Sequence, residues 1–179
     1  MAVPANRARG AILREVLESL VIALALAVII RVFVFEPFYI PSGSMEPTLL
    51  TGDRIIVSKL SHRIGTPGRG DIIVFKYPRD PDRVFVKRVI GLPGETVALR
   101  ESKLYINGRH IPEPYLPEGL RFPDFGPVRV PAGHLFMLGD NRNSSDDSRV
   151  WGFLDERLII GKAVAIYWPP HRIRVIRHG

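Results

Sequence analysis

The sequence predicts a mainly β protein, an antiparallel barrel-like or coiled-sheet domain preceded by one N-terminal transmembrane helix. Three observations carry this. An unbroken apolar run, Leu20 to Ile30, lies at the start of the chain. Of the 16 prolines and 16 glycines, all but Pro4 and Gly10 fall after residue 35. Beyond that point helical periodicity gives way to short β-branched and aromatic runs closed by Gly, Pro and Asp. At 179 residues, 46% hydrophobic and 24% charged, the chain has the length of one domain and too much apolar content to be disordered. It has no cysteine, which excludes disulfides, thiolate metal sites and cysteine nucleophiles.

The N-terminal elements come first. Residues 16–35 are about 20 residues long, roughly 30 Å of helix, enough to span hydrocarbon. Glu18 and Arg31 lie near the two ends of this window, where long side chains reach the headgroups. Arg7, Arg9 and Arg14 precede it, so the positive-inside rule places residues 1–15 in the cytoplasm and residues 36–179 on the far side of the cell membrane. A cleaved signal peptide is the rival reading. Residues 31–36 (RVFVFE) contain no small-x-small cleavage site and favour an uncleaved, single-pass anchor. A buried helix of a soluble domain would show one polar face, which Leu20–Ile30 lacks.

Strands follow. Arg54–Lys59, Asp71–Tyr77 and Arg83–Ile90 read as three, the second closed by Pro78 and the third by Gly91, Pro93 and Gly94. Thr96–Arg100 and Lys103–Ile106 come next, with Asn107-Gly108 as a two-residue hairpin turn. His134–Leu138, Ile160–Trp168 and Arg172–Arg177 complete eight or nine strands and suggest an antiparallel barrel or coiled sheet. Residues 107–133 hold six prolines and little strand signal, so a loop or flap is expected over about 103–133.

The net charge of +7 suits nucleic acid or an anionic lipid surface. No compact Lys/Arg run is interleaved with aromatics, which favours lipid and no nucleic acid. Three polar constellations stand out. Pro41-Ser42-Gly43-Ser44-Met45 is a turn able to hold a hydroxyl outward, or an ordinary Ser/Gly/Pro loop. In Phe85-Val86-Lys87-Arg88-Val89, period two puts Lys87 between Phe85 and Val89 on one face. Burial there lowers a lysine's pKa and makes it a base, unless the side chain snorkels to solvent. Residues 139–149 (GDNRNSSDDSR) are dense in polar groups but fail the EF-hand spacing. The histidines show no metal-ligand or triad spacing, and no phosphate-binding Gly loop is present.

The order of anchor, Ser42-Gly43-Ser44-Met45 with Pro47-Thr48-Leu49, Lys87-Arg88 with Gly91, Pro93 and Gly94, then Gly139-Asp140-Asn141-Arg142 with Ser145, Asp147, Ser148, Arg149, Trp151 and Gly152, resembles bacterial type I signal peptidases (leader peptidases). The resemblance implies a serine/lysine-dyad endopeptidase that removes signal peptides from exported preproteins and needs no cofactor or metal. By motif position it makes Ser44 the nucleophile and Lys87 the general base. It gives Ser42 a part in the oxyanion hole, makes Ser145 the lysine-orienting hydroxyl, and pairs Asp147 with Arg149. Phe38, Ile40, Met45, Val86, Met137 and Leu138 fall where the family builds apolar pockets for small side chains. Asn143 and Ser144 depart from the family's usual Asp-Asn. The short stretch between Lys87 and Gly139 leaves room only for a flap where larger members carry a second domain.

Two other readings share some of these features. A self-cleaving repressor protease also uses a serine/lysine dyad, but it carries a DNA-binding region and no anchor. An inactive, membrane-anchored peptide-binding domain would not need every dyad residue to be present.

Overall fold

A computed structural model describes residues 5–60 and 65–178; within the first helix the side chains of residues 5–13 and 29–33 lie outside it. Helix α1 (Ala5–Phe33) leads into β1 (Phe35–Tyr39). The large sheet continues with β2 (Arg54–Ser58), β3 (Ile72–Tyr77) and β4 (Asp80–Gly91). A smaller sheet is built from β5 (Thr96–Arg100), β6 (Lys103–Ile106), β7 (Arg109–Ile111) and β8 (Phe125–Arg129). The chain returns to the large sheet through β9 (His134–Leu138), the short helix α2 (Ser148–Trp151), β10 (Leu154–Asp155), β11 (Ile159–Trp168) and β12 (Arg174–Val175).

Pairing is antiparallel in the order β1-β2-β11-β3-β4-β9-β10, with β12 also on β11. The expected mainly-β antiparallel architecture is present. It is not a closed barrel, for among the described residues β1 and β10 remain the two ends of the sheet. Period two explains how the sheet is buried on both faces. In β3, Ile72 and Val74 enter a core with Ile55, Val57 and Met45, while Ile73, Phe75 and Tyr77 enter a second core with Val89, Met137 and Trp151.

Residues 107–133 correct the expectation of a loop. They contribute β7 and β8, and the order β7-β6-β5-β8 makes a four-stranded sheet with its own core of Val97, Leu99, Leu104, Ile106, Phe122 and Val130. Strands of three to five residues between prolines carry too little alternation to be read from sequence. β9 joins the two cores, since Leu135 and Met137 face one and Phe136 and Leu138 the other.

Two boundaries also move. Phe35 belongs to β1, not to the preceding helix, so the helix ends at Phe33. The expected strand Arg172–Arg177 shrinks to Arg174–Val175, because Pro169 and Pro170 start a 3-10 turn through Arg172. In α1 the apolar side chains from Val16 to Val28 are exposed. Among the described residues no helix is long and apolar enough to cross a membrane. The expected span runs on through residues 29–33, and it, like the flanking Arg7, Arg9 and Arg31, lies partly outside the described residues.

Candidate active site

Ser44 sits in a 3-10 turn, Gly43–Met45, between β1 and β2. Met45 and Leu49 are wholly buried and pin the turn into the core. A second restraint comes from the polar loop that follows β9. Asn141 Nδ2 donates to the Gly43 carbonyl at 3.1 Å, and its backbone N–H donates to the Ser44 carbonyl at 3.2 Å. Both carbonyls of the turn are thereby held, while the Ser44 N–H has no acceptor among the described residues. Ser42, just before the turn, is exposed and extended, and its side chain makes no capping bond.

Lys87 comes from β4 and is 3% exposed. Its Nζ donates to Ser44 Oγ at 2.8 Å and to the Val86 carbonyl at 3.0 Å, and lies 5.3 Å from the centre of the Phe85 ring. Burial pushes its pKa from 10.5 down to about 8, against the opposing pull of the Asp147, Asp146 and Asp140 charges. No carboxylate is within ion-pair distance among the described residues. The alternation read from sequence thus ends in a desolvated lysine touching a serine hydroxyl, one way in which a nucleophile is activated.

The loop at 139–149 closes over this pair. Arg149 donates to both oxygens of Asp147 at 2.8 Å, and the Gly139 N–H donates to Asp147 Oδ2 at 3.1 Å. Ser148 Oγ accepts from the Met137 N–H at 2.9 Å, which ties α2 to β9. Gly139 needs the absence of a side chain, for a Cβ there would collide with Ser145 Oγ and the Ser44 carbonyl. Ser145 Oγ is buried in this contact without a hydrogen-bond partner among the described residues. The expected Ser145–Lys87 bond is not among the bonds of Lys87 Nζ, which donates to Ser44 Oγ and the Val86 carbonyl.

Ser42, Ser44, Val86 and Lys87 line a cleft of about 380 Å³, together with Pro41, Arg83, Val84 and Phe85. The other residues expected at the apolar pocket pack into the cores. Ile40 and Met45 are in the first core, Met137 in the second and Leu138 in that of the small sheet, each at most 2% exposed. Phe38 is half-buried against the first core. Motif position alone does not say which side of a doubly covered sheet faces the cleft.

Residues not singled out in the sequence hold the far side of β4. Arg88 is completely buried and donates to both oxygens of Asp140 at 2.8 and 2.7 Å, to the Gly70 carbonyl at 2.8 Å and to Thr48 Oγ1 at 3.3 Å. Its guanidinium carbon lies 3.7 Å from the Tyr115 ring centroid. Tyr115 in turn donates to Glu113, which also accepts from buried Arg142 at 3.0 Å. Burial and the Glu113 charge both push the Tyr115 hydroxyl pKa up. The sequence signal for this network is the presence of Thr48, Arg88, Asp140 and Arg142 in the motif blocks.

The chain is similar to known proteins. Residues 13–168 match the family model for signal peptidase, peptidase S26. Signal peptidase I of Leptolyngbya laminosa is 44% identical, with 90% of this chain and 82% of the relative aligned. Signal peptidase I of Bacillus licheniformis is 42% identical, over 89% of this chain and 91% of the relative. A signal peptidase I structure from Enterococcus faecalis aligns at 40% identity with a TM-score of 0.50, covering 55% of this chain and 97% of that one. A matched segment this long, with relatives well above 30% identity along most of their length, makes the chain a serine peptidase belonging to the signal peptidase S26 family.

Proposed function

We propose that this peptidase is a membrane-anchored endopeptidase that removes N-terminal signal peptides from exported preproteins, with Ser44 as nucleophile and Lys87 as general base. The observation that carries the reading is the 2.8 Å contact between Lys87 Nζ and Ser44 Oγ, made by a lysine whose pKa burial lowers to about 8. Neutral Lys87 takes the Ser44 proton as Oγ attacks the carbonyl carbon of the scissile bond. The oxyanion that forms is met by the unpaired Ser44 N–H and by the Ser42 hydroxyl. Protonated Lys87 then gives its proton to the leaving amine, and the acyl-enzyme is hydrolysed by water with Lys87 again as base.

Other features support the same assignment. Before Arg88, β4 pairs only with β3 among the described residues, so its other edge is open beside Ser44 for an extended peptide. Val86 and Phe38 offer half-buried apolar surface for small side chains. The Asp147–Arg149 pair braces the loop that packs on Ser44. Ser145, a free hydroxyl in that loop, is read as the group that holds Lys87 when Ser44 swings to attack. The exposed apolar side chains of α1, behind three arginines, suit a single-pass anchor in the cell membrane with the N-terminus in the cytoplasm and the β domain outside.

The test is incubation of the full chain, in detergent or lipid, with a preprotein carrying an Ala-x-Ala site, beside Ser44→Ala and Lys87→Met. Wild type should cleave after that site, and both variants should lose at least about a thousandfold in rate. Folded wild type that leaves the preprotein intact, or variants that cleave equally well, would overturn the reading. Ser42→Ala should lower kcat by roughly 100-fold with KM nearly unchanged, as befits a contact made in the transition state.

A further inference from the structure

Arg83 is a cation on the wall of the Ser44–Lys87 cleft without a carboxylate partner among the described residues. It lines the cleft four residues before Lys87 on the same strand. Its guanidinium carbon lies 5.1 Å from the Phe85 ring centroid and 5.4 Å from that of Tyr77. These two rings stack at 4.4 Å, and Tyr77 packs edge-on against buried Trp151. Phe85 is also the ring that Lys87 Nζ approaches, so Arg83, Phe85 and Lys87 follow one face of β4 at period two.

The other cations near the site are committed to partners. Arg88 holds Asp140, Arg142 holds Glu113 and Arg149 holds Asp147. Arg83 forms no ion pair among the described residues, although Asp80 and Asp82 lie on its own strand. An arginine laid on aromatic faces keeps its hydrogen-bonding edge free and has already lost part of its rotamer freedom. A free guanidinium edge on the cleft wall is a group suited to bind a carboxylate.

We propose that Arg83 is a specificity residue that receives an acidic side chain of the substrate, about two to four residues from the scissile bond at 3.3 Å of peptide per residue. The inference rests on the peptidase reading above and extends it to substrate choice. Because Arg83 is exposed, the preference is modest and sensitive to salt. Because side chains of an extended peptide alternate, the preference belongs to one position and not to acidic peptides in general.

The experiment uses the full chain in detergent and a preprotein-derived peptide set with Asp or Asn placed singly at each of the four positions on either side of the cut. Wild type, Arg83→Gln and Arg83→Glu are compared by kcat/KM. At one position wild type should favour Asp over Asn by about two- to fivefold, the size expected of an exposed ion pair. Arg83→Gln should lose that preference, Arg83→Glu should reverse it, and about 1 M salt should erase it. Each enzyme's kcat/KM on the Asn peptides is the reference for its own Asp series. Cleavage of the Asn series by wild type with no position whose Asp preference reverses in Arg83→Glu would overturn the inference alone. Failure of wild type to cut any peptide would overturn the peptidase reading and this inference with it.

Discussion

On one face of β4, Lys87 is buried against Phe85 and touches a serine hydroxyl; on the other, Arg88 is buried in a carboxylate, two further acceptors and an aromatic ring. The residues are adjacent, and both are at most 3% exposed. A buried charge is tolerated when paired and hydrogen-bonded, and a buried lysine left without an acid gives up its proton instead. Arg88 meets the first condition and ties β4 to Asp140 at the start of the polar loop. Lys87 meets the second, and its neutral amine is what a serine nucleophile needs. The same burial therefore serves structure on one face and chemistry on the other, and the choice of guanidinium or amine decides which.

Breaking the structural face should have the largest effect on stability. Asp140→Ala leaves the Arg88 guanidinium uncompensated in the interior and should cost about 3–5 kcal/mol in chemical denaturation. Adding Arg88→Met should recover most of that loss, because it removes the orphaned charge. An additive or worse double variant would mean that the pair acts through something other than charge balance.

The chemical face should respond with the opposite sign. The Lys87 pKa lies at about 8 folded against 10.5 unfolded, so between those values the unfolded chain binds more protons and wild-type stability rises with pH. Below pH 8 the buried amine is a net burden. Lys87→Met should therefore be inactive yet more stable than wild type at pH 7, by on the order of 2–3 kcal/mol. The gain should disappear above pH 10.5. A variant less stable than wild type at neutral pH would argue that Lys87 stabilises the fold as an ion.

The seam between the two faces gives smaller effects. Gly139→Ala forces a Cβ against Ser145 and the Ser44 carbonyl and should cost about 1–3 kcal/mol with a loss of turnover. Tyr115→Leu, which removes the ring against Arg88 together with the hydroxyl bond to Glu113, should cost roughly 1–2 kcal/mol and leave the pH profile in place. A shifted profile in that variant would show the two faces to be coupled.

Much of the large sheet was legible because its strands are long enough to alternate: β3, β4, β9 and β11 each begin or end within three residues of the span read from sequence. β1 was hidden because Phe35 continues the apolar run of the helix and Pro37 interrupts the strand pattern. β7 and β8 were hidden by brevity and neighbouring prolines. At the site, the flanks of Lys87 are local in sequence and announced its burial. The partner of Arg88 lies 52 residues away, and that of Arg142 lies 29 away, and no local pattern in one sequence joins them. Ser145 is named by motif position alone, and its buried hydroxyl has no hydrogen-bond partner among the described residues.

The central claim is that desolvation lowers the Lys87 pKa to about 8, so that its neutral form can serve Ser44 as a base. The pH dependence of kcat/KM reports the essential base of the free enzyme and tests this most directly. Activity should rise through an acidic limb at about pH 8 as Lys87 loses its proton. A limb near 10.5, the ordinary lysine value, would contradict a desolvated base and place the activating group elsewhere.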